Sequence, residues 1–481
     1  MVDDFFLHVH PLSAFAFQHP PTVKQKCAED TLEQHITLAM CSVTALKLNM
    51  SRYYPSSTET WVEQCENMLW QEIDSPTVTK LQAILLIMLY RIESDRPAKA
   101  FMLAAFAARM TSALHLNYER QELGAVQREV RRRIMWTVAV LDGLFALGLP
   151  EYEVAPFENI YLQLPCKEAS FIDGEAVRTE HLRHSGPRRL HNLGCFAFII
   201  RLASMRRDIM RLSRQLTLSD QPAPYLEDLV HRFHGILEGN QNDLNLAYPV
   251  SRDQIQTSIE VGWLPRILAA HLSLHQAYCD LYRLFLPGYS EAASINTLLP
   301  MRPELMEKAR KQCQQHALAA VEILKCVQEL ADSWILLEID NAICAYHAAR
   351  LLIFLSKVPE LDDAIGQYDC FVHAGVCLAF LRRFFSSTAY AQPLIHDLEV
   401  SIQQETLPAH SSALSSLPLS EWHPSGSWLP REGYKHQRLA IHSLLRRTHF
   451  RDEGDDLGGA MSSPASTFTS AQDDGRSQQH V

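Results

Sequence analysis

The sequence predicts an all-α fold: a large multi-helix array with an extended N-terminal lead and a disordered C-terminal tail. Three observations carry that expectation. Leucine and alanine are abundant while glycine is scarce, at 18 of 481 residues, a composition that favours helix. Apolar residues recur at three- and four-residue spacing from residue 28 to residue 386. No stretch alternates apolar and polar residues for long enough to make a sheet, and no repeat of fixed length is present. A hydrophobic content of 47% against 21% charged residues is enough for a sizeable core.

Residues 3–23 read as an extended lead. Pro11, Pro20 and Pro21 interrupt a long helix there, and Phe5, Phe6, Phe15 and Phe17 pin the segment onto the first helices. A first helix is expected over 28–50, with Ile36, Met40 and Val43 on its inner side. A second, 58–70, carries Trp61, Cys65 and Leu69 after a polar cap. Beyond Asp74-Ser75-Pro76 the run LQAILLIMLYRI is apolar nearly all round, which predicts a central, fully packed helix. Pro97 starts a fourth helix whose many alanines let a neighbour approach closely. Residues 126–150, VQREVRRRIMWTVAVLDGLFALGLP, form the anchor. A basic turn opens into an apolar stripe of Ile134, Val138, Leu141 and Phe145, and Gly148 and Pro150 stop the helix. Further helices are expected over 191–216, 225–238 and 263–286, from Pro303 onward, and over 334–356 and 366–386. The array thus occupies residues 1–400. Residues 401–451 are rich in Pro and Ser and hold one short amphipathic helix through Leu439, Ile441, Leu444 and Leu445. The tail, 452–481, is too polar to order itself.

The net charge of −11 gives no support to nucleic-acid binding by this chain alone. Eleven cysteines are scattered with no C-x-x-C pair, as expected of buried thiols in a reducing compartment and not of a zinc or disulfide framework. The start of the chain lacks the charged and apolar regions of a secretory signal, and no run is long enough to span a membrane. No Gly-rich phosphate loop, G-x-S-x-G or H-E-x-x-H occurs, so no catalytic residue, metal site or cofactor is assigned. The histidines of the lead, His8, His10 and His19, lack regular ligand spacing.

Within the anchor, Glu129 and Arg133 have the spacing of an ordinary helix-surface pair, worth a few tenths of a kcal/mol. Trp136 needs a partner for its indole N–H. Asp142, in the middle of an apolar run, must meet a cation or several donors; Arg131, Arg132 or Arg133 is a candidate cation. Farther on, His271, His275, Tyr278 and Tyr282 fall on one helix stripe. They read either as hydrogen-bonded core groups or as the wall of a small-molecule pocket.

Glu129-Val130-Arg131-Arg132-Arg133-Ile134-Met135-Trp136, then Leu141-Asp142 and Gly148-Leu149-Pro150, resemble the signature of the fungal-specific transcription factor domain. This is the middle homology, or xylanolytic-activator-type, regulatory domain of binuclear zinc-cluster regulators. Thr79-Lys80-Leu81-Gln82-Ala83, the helix ending LAAFAARMTSALHL, the lead FFLHVHPLSAF and the later HLSLHQAYCDLYRLFLPG resemble its other segments, so the likeness covers about residues 4–390. The resemblance implies an all-helical regulatory domain of a nuclear transcription regulator that partners other transcription factors or itself as a homodimer. A metabolic or secondary-metabolite gene set is its implied target. A second expectation is a small-molecule-sensing or scaffold module without direct DNA binding. The chain departs from the family in two places. It holds no six-cysteine cluster, so DNA is expected to be reached only indirectly or through a missing N-terminal module. Gly148-Leu149-Pro150 also stands where the family carries Gly-Arg-Pro.

Overall fold

The computed structural model describes residues 1–50, 55–146, 148–183, 190–218, 225–357, 367–406 and Leu444. Among these residues there is no strand; two isolated bridges join Gln163 to His181 and Cys166 to Leu193. The helices are α1 (Val2–Asp4), α2 (Pro20–Ala28), α3 (Gln34–Lys47), α4 (Pro55–Gln71), α5 (Val78–Glu93), α6 (Pro97–Ala113), α7 (Ala125–Ala146), α8 (Glu168–Ile172) and α9 (Cys195–Leu218). They continue as α10 (Leu226–Ala247), α11 (Arg252–Glu260), α12 (Leu264–Tyr282), α13 (Ile295–Leu298), α14 (Pro303–Leu330), α15 (Ile339–Leu355), α16 (Gln367–Phe385) and α17 (Gln392–Thr406).

Two helices organise the packing, and each is apolar nearly all round, as a helix enclosed by others must be. In α5 every residue from Leu81 to Ile92 is buried, and α3 and α6 pack on it. In α12 every residue but Ile267 is buried, and α9, α10, α14 and α15 surround it. The anchor α7 touches α5 and α6 on one side and α9 on the other, so it bridges the two groups. α16 and α17 close the array against α15. One apolar cluster runs from Phe5 through to Leu398.

The lead differs from the sequence expectation: it is helical and folded in. α1 continues into a wider helical turn over Phe5–Val9, a short turn covers Ser13–Phe15, and α2 begins at Pro20. The prolines do not oppose this. Pro20 and Pro21 occupy the first turn of α2, where the missing N–H would have had no partner anyway, and the His19 ring accepts from the Thr22 N–H at 3.3 Å. Phe5, Phe15 and Phe17 are fully buried and supply the burial that a polar lead could not. α11 and α17 were not anticipated either, and α17 runs across the expected boundary at residue 400. Apart from Leu444, which is buried, the short amphipathic helix and the polar tail lie outside the described residues. No described helix is long and apolar enough to cross a membrane.

Candidate functional site

The basic turn of α7 is a buried ionic hub, not a surface patch. Arg133 is fully buried and Glu129 is 3% exposed, so their pair lies inside the protein, contrary to the helix-surface expectation. Glu129 accepts from Arg133 Nε at 2.9 Å, from Arg132 Nη1 at 3.1 Å and from the Cys166 N–H at 3.0 Å. Arg132 grips Glu119 with two parallel bonds of 2.6 and 3.0 Å. The remaining Arg133 nitrogens reach Glu168 at 2.7 Å and the carbonyls of Ala16 and Cys166, both at 3.0 Å, while the guanidinium lies 4.1 Å from the centre of the Phe171 ring. Arg266, from the first turn of α12, approaches Glu168 at 2.6 Å and also donates to the His10 carbonyl. The carboxylates Glu119, Glu129 and Glu168 thus face the guanidiniums Arg132, Arg133 and Arg266, and formal charge cancels. Such balance is the condition under which buried charges are tolerated. Burial alone would raise the Glu168 carboxyl, but Arg133 and Arg266 hold it at about 2. Burial and the Arg266 charge push the His10 imidazole down to about 3.

The hub does one mechanical job. It ties α7 to the folded lead through Ala16, to the segment at Cys166 and α8, and, through Glu168 and Arg266, to α12. Trp136 adds to the same seam: its indole N–H donates to the Gln163 carbonyl at 2.9 Å. Arg131 stands apart, half-buried, with Nη2 on the Leu114 carbonyl at 2.8 Å. Sequence reasoning located Glu129, Arg132 and Arg133 but missed Glu119, Glu168 and Arg266. Arg266 had a readable signal, a lone cation in the apolar run WLPRILAAHL. Glu168 had none.

Among the described residues Asp142 meets donors and no cation. Its Oδ2 accepts the Val154 and Ala155 N–H groups, each at 2.9 Å, and so pins the segment after α7. The arginines of α7 point the other way. The same segment is clamped from α9, where Arg207 holds Glu158 with two bonds of 2.8 Å and Arg211 holds Glu153. Between these clamps Gly148 turns the chain at φ +77°, and Pro150 opens a short turn over Pro150–Tyr152. Burial raises the Asp142 carboxyl to about 6, against the opposing pull of its two backbone donors. A carboxyl raised in the folded state binds its proton more tightly there than in the unfolded chain, so this group adds stability as pH falls from about 7 toward 4. Asp142→Asn keeps an acceptor and removes the charge. It is expected to be more stable than the parent at pH 7, by up to about 2 kcal/mol, and to lose that advantage by about pH 4. Melting curves of both proteins across that range check this; a constant difference would contradict it. Asp142→Ala instead strands two N–H groups, and its cost comes from them.

The stripe on α12 is threaded into its surroundings. The His271 ring meets the Tyr248 carbonyl at 2.7 Å, and His275 Nδ1 meets His316 Nδ1 at 2.9 Å. Tyr278 stacks on His316 with ring centres 3.8 Å apart and donates to Gln241, while the Tyr282 hydroxyl lies 3.0 Å from His234 Nδ1. Burial lowers His275 to about 3 and His316 to about 4, so both are neutral and one Nδ1 carries the hydrogen of their contact. A small molecule entering here would have to displace these bonds.

Among the described residues no group of three or more His, Cys, Asp or Glu is placed to hold a metal. The cysteines are all free and spread from α2 to α16, and burial pushes thiols such as Cys279 and Cys377 up to about 12. Dispersed, protonated thiols do not fit a zinc cluster.

Known proteins resemble the chain in sequence. The Zn(2)-C6 fungal-type transcription factor FTF1c of Fusarium oxysporum f. sp. lycopersici is 24% identical over 284 residues, which is 53% of this chain and 30% of that protein. FTF1a of the same organism is 23% identical over 313 residues, 57% of this chain and 28% of that protein. The uncharacterized transcriptional regulatory protein PB1A11.04c of Schizosaccharomyces pombe is 22% identical over 236 residues, 44% of this chain and 33% of that protein. The chain spans about a third or less of the length of these relatives. No solved structure matches. The family model described as the fungal specific transcription factor domain matches residues 2–253, just over half of the chain, with α7 and its hub partners from the lead, the Cys166 segment and α8 but without Arg266 of α12. By that match, the chain belongs to the fungal specific transcription factor domain family.

Proposed function

We propose that the chain is the regulatory part of a nuclear transcription regulator and acts through protein partners on its helical array, without contacting DNA itself. One observation carries this reading: the family match covers α7 together with the lead, the Cys166 segment and α8, to which buried charges lock it. A transcription factor family supplies the activity class, and the lock supplies a rigid body able to present surfaces. The chain's overall negative charge is set against phosphate binding. A metabolic or secondary-metabolite gene set remains the target class proposed from the family resemblance.

The test tethers the whole chain to an unrelated DNA-binding module above a reporter in a fungal host. Reporter output is expected to change on tethering, in either direction, and to return to baseline when Arg133→Ala breaks the hub. A tethered chain that is abundant, nuclear and without effect on the reporter, joined by an unchanged transcriptome after gene deletion, would overturn the proposal.

A further inference from the structure

The turn between α4 and α5 holds a serine that its surroundings leave uncommitted. The chain has two Ser-Pro steps, Ser75-Pro76 and Ser463-Pro464, and no Thr-Pro. The second lies outside the described residues. Ser75 is exposed, in the stretch 72–77 that joins Gln71 of α4 to Val78 of α5. Pro76 explains why the chain stays unwound there, since its ring disfavours helical backbone at the residue before it. α5 starts only after Thr77, whose hydroxyl accepts the Lys80 N–H at 3.2 Å. The Ser75 hydroxyl has three polar neighbours, the Glu72 carbonyl, Asp74 Oδ1 and Lys80 Nζ. Each lies at 3.5 Å, the outer limit of hydrogen bonding, and none holds it firmly.

Of these neighbours Lys80 is the cation, and it is fixed in place. Its Nζ donates to the Ser75 carbonyl at 2.7 Å and pairs with Glu72 Oε2 at 2.6 Å. The Lys80 side chain is 12% exposed, whereas that of Glu72 is 62% exposed. Glu72 can therefore swing into water at little cost, because a carboxylate so exposed gains only about 0–1 kcal/mol from its pair. His35, at the start of α3, is the remaining titratable group of this corner. Burial lowers its imidazole, and Glu33, Lys80 and Glu72 are close enough for their charges to act on it. A phosphate on Ser75 Oγ would place three further oxygens beside an ammonium already 3.5 Å from that atom. Its charge of about −1.5 to −2 exceeds that of the carboxylate it would displace.

We propose that Ser75 is a phosphorylation site for a proline-directed serine kinase, and that Lys80 receives the phosphate in exchange for Glu72. In the transfer Ser75 Oγ attacks the γ-phosphorus of ATP. The Oγ–P bond forms, the bond to the β,γ-bridging oxygen breaks, and ADP leaves. The Oγ proton passes to the catalytic carboxylate of the kinase. Pro76 supplies the specificity by what it lacks: a kinase that offers no acceptor at this position admits proline and rejects residues whose N–H would be buried unpaired. The product ties the turn to the first turn of α5, the helix on which α3 and α6 pack. The site is independent of the regulatory reading above, because a chain that leaves a reporter unmoved can still take phosphate here.

The test incubates the whole folded chain with Mg-ATP and a purified proline-directed kinase of proven activity on a Ser-Pro peptide. Mass spectrometry then locates the phosphate. Filling of Ser75 is expected. It should vanish in Ser75→Ala and fall about tenfold or more in rate in Pro76→Ala, the factor for one unpaired N–H. A Ser75 that stays unmodified overturns the proposal, whether or not Ser463 fills. So does phosphate that enters Ser75 only after the chain has been heat-unfolded. The exchange is read by ³¹P NMR. The phosphoserine should titrate below the value of about 6 for a free phosphate ester, and Lys80→Gln, its fold checked by a melting curve, should raise the midpoint by about half a pH unit or more. A midpoint that Lys80→Gln leaves unchanged overturns the role of Lys80.

Discussion

Arg133→Met is expected to destabilise the protein by about 3–5 kcal/mol, the scale for removing one member of a buried charge network. The whole stability of a folded domain is only about 5–15 kcal/mol, so loss of soluble protein at growth temperature is a foreseeable readout. The size follows from what is stranded. Without the guanidinium, Glu129 keeps only Arg132 and the Cys166 N–H, and Arg266 is the one cation left on Glu168, while the carbonyls of Ala16 and Cys166 lose a donor inside the protein. Arg133→Lys should recover only part of the loss, because one ammonium cannot span acceptors that a planar fork reaches from three nitrogens. Arg128→Ala is the control from the same turn. Its side chain is only half-buried and meets Gln121, an exposed residue outside the hub, so a change within about 0.5 kcal/mol is expected. Denaturant unfolding of the three variants decides this; equal midpoints for Arg133→Met and Arg128→Ala would show that the hub does not hold the fold.

Gly148→Ala is expected to cost about 3 kcal/mol or more. Two effects add. A side chain at φ +77° is strained by about 1–2 kcal/mol. Its Cβ would also stand 2.6 Å from the Met210 carbonyl carbon and 2.7 Å from the Arg211 nitrogen, which are backbone atoms of α9 and cannot turn aside. Relief requires moving α9 away from the end of α7, and that displaces Arg207 and Arg211 from Glu158 and Glu153. Gly143→Ala, one turn earlier within α7, is the contrasting case. A Cβ there meets nothing within 4 Å, so the usual helix gain of about 0.5–1 kcal/mol is expected. Opposite signs for the two substitutions in thermal unfolding would confirm that Gly148 serves a close approach of two helices. A stabilising Gly148→Ala would refute it.

These two cases show how unevenly the hub could be read in advance. Gly148 was legible as a helix stop, since glycine followed by proline ends helices by local chemistry, but nothing in its neighbourhood announces α9. Glu129 and Arg133 were legible as a pair, since four residues separate them on a helix, yet their burial was not. An ion pair at that spacing looks the same on a surface as in a core; only the arrival of Ala16, Cys166 and Glu168 from other segments makes it interior. Asp142 gave the clearest partial success. Its apolar neighbours required partners for it, and the partners proved to be two backbone N–H groups of the following segment, not an arginine. The lead failed for a different reason: its prolines were read as breakers, while two of them sit at the one place in a helix where proline is harmless.

By itself the sequence determined what depends on neighbours along the chain: the all-helical class, the positions of most helices, the all-round apolar character of α5, and the ordered motifs of a transcription factor family. Tertiary structure alone decided what depends on groups remote in sequence. It balanced Glu168 against Arg133 and Arg266 and filled the hydrogen bonds of the α12 stripe. Helical periodicity is a local property with a period near four residues, whereas the solvation of a charge is set by whichever atoms surround it in space.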